Sequence, residues 1–169
     1  MEIKSDISLK GKEWNEALDK YKEIFATRTR YQVYLLSVAI GIKYDERIEK
    51  LEETETFSTV PRSVISMHDH GMLDYCFQAA ILSTKTEDME EKERIRLAFT
   101  EVNEFDKVKF LTEFGNFGVK KLLEQDGIDK IDTMQNIFNF LIGLVEELSE
   151  EDDSCEEYVL NQVDILEEL

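Results

Sequence analysis

The stretch YQVYLLSVAIGI, from Tyr31 to Ile42, decides how the rest of the chain must be arranged. It is apolar on nearly every face except at Gln32 and Ser37, and a run of this length favours a helix over a strand. A helix that is apolar all round has to be surrounded by other elements. We therefore predict that this stretch is the central helix of the core, and that Gly41 ends or bends it.

Apolar residues at helical spacing recur on both sides of this stretch. Before it, Trp14, Leu18, Tyr21 and Phe25 follow one another at intervals of 4, 3 and 4 residues, which predicts an amphipathic helix. Four later segments show a similar period: residues 69–85, 86–105, 104–127 and 128–148. The sequence therefore predicts a mainly α fold, a compact bundle of about five to six helices.

The last of these segments is expected to be a core helix, because its apolar residues share one face. They are Ile131, Met134, Ile137, Phe138, Leu141 and Val145. The helical pattern fails only between Lys50 and Val64, where the single proline lies, so we expect a short strand or irregular segment near residues 52–64. We expect one helical domain over residues 1–148, followed at 149–169 by an acidic linker and a C-terminal amphipathic helix.

The net charge of −18 is unevenly distributed along the chain. Residues 1–62 carry 11 Lys and Arg against 12 Asp and Glu, whereas residues 63–169 carry 9 against 26. Such an acidic half repels a phosphate backbone, which argues against direct contact with nucleic acid there. The first residues, MEIKSDISLKGKEW, lack the apolar stretch of a signal peptide, and no apolar run approaches the roughly 18–20 residues that span a bilayer. We therefore expect a cytoplasmic protein without membrane contact.

Two sets of residues are candidate contact sites. Arg28, Arg30, Tyr31 and Arg62 form a small basic and aromatic group in the near-neutral half, where a nucleic acid or a partner could bind. In the tail, Tyr158, Val159, Val163 and Leu166 are apolar residues of a predicted helix. This helix is expected either to fold back on the core or to dock on another chain.

The only two histidines lie together in MHDHGM, as His68 and His70 on either side of Asp69. As metal ligands they would need carboxylates or Cys76 to complete a set, and zinc sites of that composition are uncommon. We expect instead that Asp69 or His68 caps a helix opening at His70. The stretch EFGNFGV, with Gly115 and Gly118, lacks the spacing of a phosphate loop, and its glycines are expected to allow close helix contact, with Phe114 and Phe117 packed in the core. We expect no catalytic residue, metal or cofactor.

Three stretches carry a family resemblance over about residues 20–126. YQVYLLSVAIGIKYDERIEKLEE, at 31–53, resembles a segment of the DNA phosphorothioation-associated protein 4 family of Dnd gene clusters: an apolar helix, then A-[IL]-G, then an Arg-containing stretch ending in Leu. VPRSVI, at 60–65, is similar to the next segment of that family. DKVKFLTEFGNFGVKKLLEQ, at 106–125, resembles its helix ending in [FY]-x-N-x-G-[VIL]-x-x-[LI]. The residues after Gly41 are less basic than the family pattern.

This resemblance implies an accessory protein of a prokaryotic anti-phage defence locus. We therefore expect a non-enzymatic accessory or regulatory subunit, which acts by protein–protein interaction with a larger nuclease, helicase or ATPase. The alternative is an acidic DNA-mimic inhibitor, an anti-defence protein whose carboxylates occupy the DNA-binding groove of a target.

Overall fold

The computed structural model describes residues 3–25, 29–52, 54–84, 89–100 and 105–146. Over these ranges the chain forms seven helices and a two-stranded sheet. The elements in chain order are β1 (Ile7–Leu9), α1 (Lys12–Tyr21), α2 (Thr29–Tyr44), β2 (Ser58–Val60), α3 (Arg62–His68), α4 (Met72–Ser83), α5 (Glu91–Phe99), α6 (Lys107–Leu123) and α7 (130–146). The mainly α fold class is confirmed, with seven described helices where about five to six were expected.

The chain divides into two compact units, Met1–Glu124 and Gln125–Leu169. All of the elements from β1 to α6 belong to the N-terminal unit, and α7 belongs to the C-terminal unit. The sequence had suggested a single domain over 1–148, whereas the observed division falls after Glu124. The expected tail at 149–169 lies outside the described residues.

The core of the N-terminal unit is the contact between α2 and α6. Helix α2 is the apolar stretch identified in the sequence, and Val33, Tyr34 and Val38 are fully buried. Helix α6 supplies the other half of the contact through its own fully buried side chains: Leu111, Phe114, Val119 and Leu122. Helix α2 therefore contributes most of its faces to the core, as the sequence predicted, while Ala39 and its half-buried neighbours Leu35 and Leu36 lie on a more accessible face.

Glycines set how closely these two helices approach. A Cβ atom on Gly118 of α6 would lie 1.8 Å from the carbonyl oxygen of Ser37, and one on Gly41 of α2 would lie 2.2 Å from that of Phe114. No side chain fits at either position unless the helix backbones separate. The expected close approach at EFGNFGV is confirmed, although Phe117 is only half-buried. Both glycines of that stretch lie inside α6, which is incompatible with a phosphate loop.

The prediction that Gly41 ends the central helix is wrong. Helix α2 continues to Tyr44, and Asp45 then adopts a positive φ of 51°. The N–H of Glu46 donates to the carbonyl of Gly41 (3.2 Å), a hydrogen bond of the kind that closes a helix C-terminus. Glycine is needed at position 41 because the backbone of α6 lies against it. This contact between distant parts of the chain cannot be recognised from the sequence.

Helix α1 is attached to α6 by buried hydrogen bonds. Trp14 Nε1 donates to Asn116 Oδ1 (2.8 Å), and Asn116 Nδ2 donates to the carbonyl of Ile48 (2.9 Å). The hydroxyl of Tyr21 donates to the carbonyl of Leu122 (2.7 Å). Buried polar groups of this kind fix a single register, because each would lose its partner if the helices slid. The helix ends at Tyr21, one turn before the expected Phe25.

The small sheet pairs β1 with β2 in antiparallel register, with Ile7 opposite Val60 and Leu9 opposite Ser58. Leu9 and Val60 are fully buried, so the sheet closes one side of the core. Strand β2 lies within residues 52–64, where a short strand or irregular segment was expected. Strand β1 was not expected, because three residues carry too little alternation to be recognised.

We expect Gly118→Ala to destabilise the N-terminal unit by about 3 kcal/mol, because the new methyl group would overlap the backbone of α2. Urea unfolding followed by the fluorescence of Trp14, the only tryptophan, measures this change. Gly143→Ala in α7 is the matched control: a Cβ there has no neighbour within 4 Å, so helix propensity should stabilise α7 by about 0.5–1 kcal/mol. An unchanged unfolding midpoint for Gly118→Ala would contradict this account of the core.

Candidate functional site

The histidine pair lies at a corner between α3 and α4 that Asp69 organises. Asp69 Oδ1 accepts hydrogen bonds from the hydroxyl of Tyr31 (2.8 Å) and the N–H of Leu73 (3.0 Å). Its Oδ2 accepts one from the N–H of Gly71 (3.1 Å). A carboxylate that satisfies the first N–H groups of a helix is a capping group, and its charge also suits the positive end of the helix dipole. Asp69 is therefore the cap of α4 and its link to α2.

The two histidines themselves flank this cap. His68 is the last residue of α3, and His70 has a positive φ of 47° in the turn. Helix α4 begins at Met72, two residues later than expected. Among the residues that the structure describes, no three His, Cys, Asp or Glu side chains are grouped as a metal site would require. These positions place the stretch in the turn that joins α3 to α4.

The proposed basic and aromatic group is only partly brought together. Arg30 Nη1 donates to the carbonyl of Thr59 in the middle of β2 (3.4 Å), and the exposed Arg62 begins α3 just beyond that strand. Tyr31 is only 5% exposed and its hydroxyl is bonded to Asp69, so it cannot stack on a ligand. Tyr31 therefore cannot take part in the predicted contact site. Arg28 lies outside the described residues.

A cleft of about 580 Å³ lies between the N-terminal strand and α6. Its charged lining consists of three lysines and four acids: Lys4, Lys10, Lys109, Asp6, Glu49, Asp106 and Glu113. Three of the carboxylates already have structural roles. Asp6 accepts the N–H of Arg62 (2.9 Å), Asp106 caps α6 through the N–H of Lys109 (2.9 Å), and Glu113 pairs with Arg47 (3.3 Å). The positive and negative charges that line the cleft are therefore nearly balanced, and three of its four carboxylates are engaged in structural contacts.

Cys76 lies on α4, a few residues after the histidine corner. It is half-buried on α4, and burial, followed by the negative charge of Asp69, raises the pKa of this thiol to about 11. The thiolate is the reactive form, so a raised pKa makes a cysteine a poor nucleophile at neutral pH. Cys76 is therefore better suited to packing α4 than to nucleophilic chemistry.

Helix α7 of the C-terminal unit presents an exposed apolar stripe. We define the α7 stripe as the following residues, with their exposed fractions: Ile131 (78%), Met134 (46%), Phe138 (59%), Ile142 (42%) and Val145 (61%). Their spacing of 3, 4, 4 and 3 residues places them along one face. The helix begins at a well-formed cap, because Asp129 Oδ1 accepts the N–H groups of Ile131 (2.8 Å) and Asp132 (3.0 Å).

This stripe corrects the prediction of a buried core face on α7. Of the six residues expected in the core, Ile137 is buried and Leu141 is half-buried. The other four, Ile131, Met134, Phe138 and Val145, are exposed, and Leu144, which was not expected in the core, is buried. Helical spacing shows which residues share a face but not whether that face is covered. The tail residues Tyr158, Val159, Val163 and Leu166 lie outside the described part of the chain.

We expect Asp69→Ala to destabilise the N-terminal unit by about 2 kcal/mol, because α4 loses its cap and the hydroxyl of Tyr31 loses its acceptor. Urea unfolding measures the loss. His68→Ala and His70→Asn are the controls, and each should stay within about 0.5 kcal/mol of the parent, since Asn tolerates positive φ. A larger loss from the histidine variants than from Asp69→Ala would refute the capping role.

We expect the Cys76 thiol to react slowly with iodoacetamide at pH 8 and faster as the pH rises towards about 11, since only then does the thiolate form. The rate is measured in a Cys155→Ser variant, where Cys76 is the only thiol. The same variant unfolded in urea provides the rate of an ordinary thiol. Rapid alkylation of the folded protein at pH 7 would show that the thiol is activated instead.

Within the described ranges, no helix has the length and apolar character needed to cross a membrane. Comparison of the whole chain with protein-family models finds no match, and comparisons with curated proteins and with solved structures find none either. The resemblance to the DNA phosphorothioation-associated protein 4 family therefore stays a prediction.

Proposed function

We propose that this protein is a non-enzymatic accessory or regulatory subunit that binds a larger protein through the α7 stripe. The stripe is the observation that carries the proposal: five apolar side chains, each 42–78% exposed, lie in a row on one helix. Exposed apolar surface of this kind marks interaction sites, because leaving it in water costs free energy that a partner recovers. A row of this spacing fits an amphipathic helix of the partner, packed side by side.

The chemistry of the N-terminal unit supports a role without catalysis. Several charged side chains of this unit are used to hold the fold, as Asp69 does in capping α4. Arg47 provides a second example: it stacks on Phe110, with its guanidinium 5.0 Å from the ring centroid, and pairs with Glu113. Arg94 provides a third, because its guanidinium donates to the carbonyls of Ile81, Leu82 and Thr84 at the C-terminus of α4.

The biological setting of the proposal comes from the family resemblance. A cytoplasmic anti-phage defence complex would supply the larger subunit, a nuclease, helicase or ATPase. Such proteins carry basic surfaces for nucleic acid, and 26 acidic residues between 63 and 169 would attract them. This attraction would mainly accelerate and orient the encounter, while the apolar stripe would provide the lasting contact.

A DNA-mimic inhibitor is the second candidate, and the acidity of residues 63–169 favours it. A mimic needs carboxylates that face outward and do not pair within the protein. Several acids of this range do pair, including Glu93 with Arg96 (2.6 Å) and Glu124 with Lys121 (2.9 Å). These pairs favour the accessory subunit. Duplex DNA separates the two functions, because only a mimic would be released from its target by DNA.

We expect Phe138→Ser combined with Ile131→Ser to reduce capture of the partner at least tenfold, since two large contacts of the stripe are lost. The measurement is quantitative affinity capture with the full chain from cells that contain it naturally. Tyr75→Ser is the matched control, because Tyr75 is 67% exposed on α4 and outside the stripe. Equal capture by all variants would refute the stripe as the docking site, and release by duplex DNA would favour the mimic.

A further inference from the structure

We propose that the free edge of β1 binds an extended segment of a partner protein, which joins the small sheet as a third strand antiparallel to β1. The exposed positions of this segment carry, in chain order, an acidic residue, a small polar residue and a basic residue. The site lies entirely within the N-terminal unit, so it is independent of the α7 stripe and of the function proposed for that stripe.

Ser8 carries the hydrogen-bonding groups of β1 that face away from β2. It is the middle of three paired residues, and hydrogen-bonded pairs alternate with non-hydrogen-bonded pairs in an antiparallel ladder. If the middle pair were bonded, the next bonded pairs would lie beyond the ladder, one of them at Pro61, which has no N–H. The two end pairs are therefore the bonded ones, and the N–H and C=O of Ser8 point outward. Within the described part of the chain, neither group has a hydrogen bond.

The cleft described above lies at this edge of the sheet. Ser8 and residues 3–7 line one side of it, and Val108 and Thr112 of α6 line the other. The opposite edge of the sheet is already in use, because the carbonyl of Thr59 on β2 accepts from Arg30 (3.4 Å). An added strand therefore finds its place at β1. Antiparallel pairing is favoured, because a single residue opposite Ser8 then exchanges both hydrogen bonds with it.

The exposed side chains of this edge specify the chemistry of the added strand. Asp6, Ser8 and Lys10 are exposed and alternate with the buried Ile7 and Leu9. Neither Asp6 nor Lys10 forms an ion pair with another described residue. Side chains directly opposite each other on paired strands attract when their charges are opposite and repel when they are alike. An acid opposite Lys10, a small polar residue opposite Ser8 and a base opposite Asp6 therefore suit this edge.

A second copy of the chain is the competing occupant, since Asp6, Ser8 and Lys10 themselves present an acid, a small polar residue and a base. The pairing of β1 with β2 argues against it. A second copy would bring its own β2 along the far edge of its β1, so two strands would have to enter between β1 and α6. A cleft of about 580 Å³ suits one extended segment instead.

NMR titration of the full chain with end-blocked peptides tests the proposal. The matched peptide is Glu-Val-Thr-Val-Lys, and the mismatched peptide, Lys-Val-Thr-Val-Lys, places a lysine opposite Lys10. We expect the matched peptide to bind about fivefold more tightly, because one attractive cross-strand pair replaces a repulsive one. N-methylation of its threonine removes the donor to the carbonyl of Ser8 and should weaken binding at least as much.

Lys10→Glu should reverse the preference, so that the mismatched peptide binds more tightly than the matched one. Lys10 is exposed, so the fold should tolerate this change. Lys92→Glu is the matched control, because Lys92 is exposed on α5 and its replacement changes the net charge by the same amount. This control should keep the preference of the parent.

Hydrogen exchange of the Ser8 amide locates the bound peptide. The outward N–H of Ser8 should exchange rapidly in the isolated protein and at least severalfold more slowly when the matched peptide is bound, because it then has an acceptor.

Several results would overturn the proposal. One is the absence of binding of the matched peptide at millimolar concentrations, or equal binding of both peptides to the parent. Another is an unchanged preference in Lys10→Glu, which would show that this side chain does not face the peptide. A third is a Ser8 amide that stays unprotected in the complex, which would place the peptide elsewhere. Protection of that amide in the isolated protein that disappears on dilution would identify a second copy as the occupant.

Discussion

The close contact between α2 and α6 is the constraint on which the N-terminal unit depends. A helix that is apolar on nearly every face needs cover on several sides, and α2 packs against α6, α1, α4 and β2. Gly41 and Gly118 carry no side chain where the two backbones meet, so the helices approach more closely than ordinary side chains permit. Trp14 and Tyr21 then attach α1 to α6 through hydrogen bonds that exist in only one register.

The second organising group is Asp69, which holds the corner where the two histidines lie. Its carboxylate satisfies the first N–H groups of α4 and receives the hydroxyl of Tyr31 from α2. The corner between α3 and α4 is thereby tied to the core. The histidines occupy the last position of one helix and a turn position with positive φ. Asp69, the central residue of the MHDHGM stretch, thus has a structural role.

The proposed function comes from the C-terminal unit instead. In α7 the five side chains of the α7 stripe are exposed while Ile137 and Leu144 are buried, so this helix retains an apolar surface that another helix can cover. The proposed function assigns that surface to a larger subunit. In that proposal, the stripe provides the lasting contact and the acidic residues orient the encounter.

The sequence alone determined the mainly α class, the central position of α2, the short strand region near 52–64 and the close helix contact at EFGNFGV. Each follows from a local property: the period of apolar residues, the single proline, or glycine within a helical pattern. Sequence reasoning also anticipated Asp69 as a cap, because capping acts over a few neighbouring residues.

Only the tertiary structure decided the features that depend on residues distant in the chain. Glycine is needed at position 41 because the backbone of Phe114 lies against it, and the hydroxyl of Tyr31 has its acceptor on Asp69. The pairing of β1 with β2 joins segments about fifty residues apart. The face of α7 could be identified from spacing, but its exposure could not, because the period of a helix is the same whether that face meets a core or water. Local patterns fix what each segment can be, and long-range contacts determine what it touches.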